Sequence, residues 1–109
     1  MALLDEILNS GLNLSMEFGK NLRQPINNRL IKLFPNLSNS QLEMYNSECS
    51  CARDYGLNLI YDLYSKNTWK VDGKKIENEF CNNFKNKYPW VSDSNLVRLF
   101  NQGSYYACK

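Results

Sequence analysis

Between Leu42 and Leu63, apolar or small residues recur at intervals of three and four: Leu42, Tyr45, Cys49, Ala52, Gly56, Leu59 and Leu63. That spacing draws one stripe along an α-helix, whereas a strand would alternate its faces every two residues. The stripe predicts a helix from Ser40 to about Ser65, roughly 39 Å long at 1.5 Å per residue. Ser40 is the expected N-cap, with Glu43 three residues later completing a capping box. Small side chains at Cys49, Ala52 and Gly56 predict that a neighbouring backbone comes close to the middle of this helix. Leu57, Ile60, Tyr61 and Tyr64 widen the apolar stripe in its C-terminal half, which predicts cover on two sides there.

The rest of the chain carries the same periodicity, cut by prolines. A first helix is expected around Leu4, Ile7, Leu8, Gly11, Leu12, Ser15, Phe18, Gly19 and Leu22, with Asp5 and Glu6 in its first turn, where they suit the helix dipole. Gly11, Ser15 and Gly19 form a small-residue stripe that favours close packing of another helix. Pro25 suits the first turn of a short second helix through Ile26, Leu30 and Phe34, which Pro35 ends. Residues 67–75 break the pattern, and Asp72-Gly73 is a turn signal, so this stretch is expected to be a loop. A fourth helix follows on Ile76, Phe80, Phe84 and Tyr88 and stops at Pro89. The fifth is capped by Ser92 or Asp93 and carries Leu96, Leu99, Phe100, Gly103 and Tyr106. The expected fold is all-α: a small five-helix bundle in a single domain, residues 1–109, with one long central helix.

Two stretches match at a fixed offset. Phe34-Pro35-Asn36-Leu37-Ser38 stands against Tyr88-Pro89-Trp90-Val91-Ser92, with matching apolar positions before and after. This suggests an internal repeat of residues 22–53 and 76–107, two helix–proline-turn–helix hairpins that close on each other rather than extend as a solenoid.

Composition narrows the chemistry. The chain of 109 residues has no histidine, so histidine-based acid–base catalysis and Ser-His-Asp or Cys-His sites are excluded within it. No phosphate-cradling glycine loop or nucleophile motif is present. The carboxylates do not pair at catalytic spacing: Glu77 and Glu79 face different sides of their helix, and Asp54 and Asp62 lie two turns apart. Cys49 and Cys51 fall about 200° apart on their helix, so they cannot easily share a metal ion, and no Cys-x-x-Cys occurs. No cofactor, metal site or catalytic residue is therefore expected. The N-terminal segment has acid where a secretory signal has lysine or arginine, and no apolar run is long enough to span a bilayer. These features point to a cytoplasmic protein with reduced thiols and no membrane partner.

What remains is recognition. Net charge is only +2, too little to dictate a polyanionic partner. The expected function is a non-enzymatic protein-interaction domain, an adaptor, regulator or inhibitor, whose partner is another protein or a second copy of the chain. Trp90, Tyr105, Tyr106 and Trp69 are the candidate anchors, because Trp and Tyr dominate interface hot spots. The alternative is nucleic-acid or phosphate binding through the lysine-rich segment 66–87, on Lys70, Lys74, Lys75 and Lys85, with Trp69 as a stacking platform.

Overall fold

The computed structural model describes residues 3–16, 25–66 and 73–107, without the side chains of residues 66, 73, 74, 106 and 107. Within them the protein is all-α, with five helices: α1 (Asp5–Ser15), α2 (Asn27–Leu33), α3 (Asn39–Lys66), α4 (Gly73–Lys87) and α5 (Asp93–Ala107). By its internal contacts the chain divides into two units, Met1–Arg53 and Asp54–Lys109, and the division falls inside α3.

Unit one is built on the small-residue match between α1 and the first half of α3. Ile7, Leu8, Gly11, Leu12 and Ser15 form the buried face of α1. Leu42, Tyr45, Cys49 and Ala52 of α3, with Ile26 and Leu30 from the α2 segment, complete the core. A methyl group placed on Gly11 would sit 2.7 Å from Cys49 Sγ and 3.0 Å from Ile26 Cδ1, so the absence of a side chain here lets the elements pack closely. The backbone donors at the helix starts are met from α3. Leu4 N–H donates to the Tyr45 hydroxyl at 3.0 Å, and Ile26 N–H donates to Asn46 Oδ1 at 3.0 Å. The last carbonyls of α1 have no basic residue of their own helix nearby. Two arginines from elsewhere serve them: Arg29 Nη1 donates to Leu14 O at 3.0 Å, and Arg53 Nη1 to Ser15 O at 3.4 Å. A guanidinium at a helix C-terminus satisfies orphan acceptors and opposes the negative end of the dipole.

Unit two is aromatic. Phe80, Phe84 and Tyr88 form a ladder along one side of α4, with ring centroids 5.5 and 5.3 Å apart. Tyr55 of α3 closes on Phe84 at 5.9 Å and on Tyr88 at 5.6 Å, and Phe100 of α5 meets Phe80 at 5.7 Å. Close approach again depends on glycine. A methyl on Gly56 would lie 2.5 Å from Leu99 Cδ2, and one on Gly103 would press into Ile60, with its Cβ only 3.3 Å away.

Each unit contains one proline turn with one serine cap. In the first, Leu37 N–H donates to Phe34 O at 3.2 Å, and Ser38 Oγ accepts from Gln41 N–H at 3.2 Å. In the second, Val91 N–H donates to Tyr88 O at 3.1 Å, and Ser92 Oγ accepts from Asn95 N–H at 3.2 Å.

Several expectations are corrected. The cap of α3 is Ser38, not Ser40: Ser38 N–H also donates to Gln41 Oε1 at 2.8 Å, so the capping box is Ser38–Gln41. The α1 helix ends at Ser15 with a turn at Met16, short of the expected Leu22, and residues 17–24 lie outside the described residues. Residues 73–75 open α4 instead of belonging to the loop before it, and the rest of that loop, 67–72, lies outside the described residues. In the second half of α3, Gly56 and Leu63 are buried as the stripe requires, but Leu59 is only half-buried and its neighbour Ile60 is fully enclosed instead. Ile60 is the residue that faces Gly103 of α5, where the missing side chain leaves it room. Tyr61, on the far side of that stripe, is exposed, so this half of α3 is not covered on both sides.

Candidate interaction surface

The candidate anchors do not form one site. Trp90 follows Pro89 and is half-buried, its indole edge-on to the Tyr88 ring at 5.9 Å. Tyr105 lies near the other end of α5 and is 59% exposed. The fifteen residues of α5 separate the two by roughly 20 Å. Trp90 thus finishes the aromatic stack of its turn, and Tyr105 is the anchor that faces solvent. Trp69 lies outside the described residues, as does the side chain of Tyr106.

Tyr105 has a companion that periodicity concealed. Tyr64 of α3 and Ser104 of α5 meet through their hydroxyls at 3.1 Å, which ties the two helices together at that level. Tyr105 follows Ser104 in the chain, and Tyr61 stands one turn before Tyr64 with 62% of its surface exposed. Two large, exposed tyrosines, one on each helix, are therefore near in sequence to this hydroxyl contact. The signal was available: Tyr61 lies about 100° round the helix from Ile60, away from the small residues that mark the buried side.

The described lysines of segment 66–87 are partly engaged. Lys85 Nζ pairs with Asp93 Oδ1 at 2.7 Å, and the exposed pair holds the Asp93 carboxyl below and the Lys85 ammonium above their ordinary ranges. Lys87 Nζ lies 5.2 Å over the Tyr55 ring. Lys75 is exposed, Lys70 lies outside the described residues, and so does the side chain of Lys74.

Among the described residues no group of three or more potential metal ligands forms, and Cys49, Cys51 and Cys81 are free thiols. Cys49 and Cys51 diverge as their spacing requires, one buried and the other exposed. Cys49 Sγ donates to Leu8 O at 3.3 Å. Burial, helped by the charge of Glu48, pushes its thiol up to about 12. A thiol that resists ionisation is inert as a nucleophile. Cys108 lies outside the described residues.

Unit one presents two shallow grooves. One, of about 410 Å³, runs beside the proline turn and is lined by Ile7, Leu33, Phe34, Leu37 and their neighbours. The other, of about 550 Å³, runs along α3 between Leu3 and residues 43–51. Among the described residues no helix is long and apolar enough to cross a membrane. Comparison with protein-family models, curated proteins and solved structures finds no match to this chain.

Proposed function

We propose that this chain is a non-enzymatic protein-interaction domain that engages its partner through the exposed tyrosines of its second unit, Tyr61 and Tyr105. The observation that carries the reading is their exposure, 62% and 59%, on two helices that the Tyr64–Ser104 contact joins nearby in sequence. A tyrosine offers a rigid ring, few torsions to immobilise and a hydroxyl for hydrogen bonding, which suits it to an interface. The lysine-rich alternative draws less support, because Lys85 and Lys87 already have acceptors within the chain. A reducing, cytoplasmic setting belongs to the same reading.

The same proposal takes residues 22–53 and 76–107 as two copies of one helix–proline-turn–helix hairpin. Its support is the pair of proline turns with corresponding backbone bonds, Leu37 to Phe34 and Val91 to Tyr88, each followed by a serine cap on the third residue beyond the proline.

The test compares the wild-type protein with the Tyr61→Ala/Tyr105→Ala variant. Both are immobilised, retained proteins are identified by mass spectrometry, and both are weighed in solution by light scattering. A partner, or a dimer, that is present with wild type and lost with the variant at unchanged helicity is the expected result. Two monomers that retain the same set of proteins would end the reading.

A further inference from the structure

The groove along α3 has a chemical character of its own. Leu3, Met44 and Cys51 contribute its apolar surface, and Glu43 and Glu48 stand along it. Met44 is 42% exposed, an adaptable thioether in a position where core packing does not need it. The residues of α3 that line the groove, Glu43, Met44, Ser47, Glu48 and Cys51, follow one side of the helix for just over two turns, about 12 Å. Leu4 N–H, bonded to Tyr45, holds the start of α1 beside this side of α3, and Asp5 and Glu6 follow directly.

The four carboxylates of unit one's described residues, Asp5, Glu6, Glu43 and Glu48, therefore belong to the two segments that meet here. Glu43 accepts a hydrogen bond from Asn27 Nδ2 at 2.7 Å, a neutral partner that leaves its charge in place. Among the described residues no lysine or arginine lines the groove. Arg29 and Arg53 are at the other end of α1, on the carbonyls of Leu14 and Ser15.

We infer that this groove docks a basic amphipathic helix of another protein, whose apolar side meets Leu3 and Met44 and whose lysines or arginines face Glu43 and Glu48. Charge complementarity selects the partner's sign, and an apolar strip along a helix accepts another helix in the usual helix-in-groove manner. A second copy of this chain fits less well. Its lysine-rich helix, α4, has already buried Ile76, Phe80 and Phe84 in its own unit and offers no free apolar row. Its lining residues all belong to the first unit, and the tyrosines of the second take no part in it.

The probe is a fluorescein-labelled twelve-residue peptide with leucines along one helical face and lysines elsewhere, set against the same peptide with glutamate for every lysine. Binding is followed by anisotropy, and the site is located by amide shifts in ¹⁵N spectra. The lysine peptide is expected to shift residues 43–51 and to bind at least about tenfold more tightly than the glutamate peptide. Glu43→Gln/Glu48→Gln should weaken it roughly three- to tenfold, with an affinity that falls as salt rises. Tyr61→Ala/Tyr105→Ala should bind it unchanged, so failure here and failure of the tyrosine reading are separate results. Equal binding of the two peptides, no effect of the glutamine substitutions, or shifts centred outside the groove would overturn the assignment. So would a dimer in solution that covers residues 43–51.

Discussion

Cys49 shows how much one side chain's surroundings can set. Its sulfur is fully enclosed, hydrogen-bonded to Leu8 O and next to the carboxylate of Glu48. The folded protein holds the thiol neutral up to about 12, while an unfolded chain ionises it near its ordinary value of 9.0. Its contribution to stability is therefore complete below pH 9 and is lost as pH rises towards 12. At pH 10.5 the loss should be about 2 kcal/mol, at roughly 1.4 kcal/mol per pH unit beyond the unfolded value. Urea midpoints at pH 8 and pH 10.5 check this against Cys49→Ala. The variant should start weaker, because it lacks the sulfur's packing and its hydrogen bond. It should then lose about 2 kcal/mol less than wild type on the alkaline step, since tyrosine and lysine titration is common to both. Equal losses would mean that the sulfur is wetter than its burial implies.

At the scale of elements, the helices are spaced by what their glycines leave out. At Gly103 the Ile60 Cδ1 methyl is nearest, and Cβ and Cγ1 both stand 3.3 Å away behind it, so turning the tip aside still leaves the stem close. At Gly11 the nearest atoms are the tips of Cys49 and Ile26. Gly103→Ala should therefore destabilise by about 2 kcal/mol, overpacking outweighing the gain in helix propensity, and Gly11→Ala by about 1 kcal/mol. Ile60→Val, which removes the outermost methyl, should recover part of the Gly103→Ala loss. Chemical unfolding of the single and double variants would show this as a coupling of at least about 0.5 kcal/mol, and simple additivity would count against a direct clash. These elements were legible in the sequence because prolines and caps punctuate them: Pro35 and Pro89 end helices, and Ser92 begins one. What was not legible turned on one-residue ambiguities. Ser38-Asn39-Ser40-Gln41 offers two serines, and the sequence pattern does not say which one will find its acceptor three residues on. The apolar pair Leu59-Ile60 likewise offers two candidates for one buried position, decided by Gly103 of α5, which leaves room for Ile60. The exposed tyrosine was misread for a related reason: aromatic content marks a residue as able to be buried, and only its angle to the small residues shows whether it is.

For the whole molecule, the informative fact is that α3 serves both units. Each half of it, taken alone, is about fifteen residues, a length at which an isolated helix is marginal in water. Losing one unit's packing should therefore withdraw support from the helix that the other unit uses. Both tryptophans, Trp69 and Trp90, belong to Asp54–Lys109, so fluorescence reports that half while far-ultraviolet dichroism reports every helix. The two signals should lose structure at the same urea concentration. Gly11→Ala, wholly within Met1–Arg53, should lower the fluorescence midpoint as well as the dichroic one. Separate midpoints would show that the break in contacts at Arg53 is also a break in cooperativity. The grooves and exposed tyrosines were the least legible features at this scale, because they depend on which segments meet across the fold. Nothing in the neighbourhood of Glu43 along the chain brings Leu3 to it; the Leu4–Tyr45 hydrogen bond does.

The placement of the glycines also bears on interchangeability. Cys49 and Gly103 stand equally far beyond their capping serines, 38 and 92. Yet the small member of the contact is on the first helix in one unit, Gly11 against Cys49, and on the last helix in the other, Ile60 against Gly103. If residues 93–107 were grafted in place of 39–53, glycine would meet glycine and leave a void. The reverse graft would drive a sulfur into a β-branched side chain. However alike their turns, the two halves are keyed by opposite choices of large and small, so each accepts its own third helix and rejects the other's.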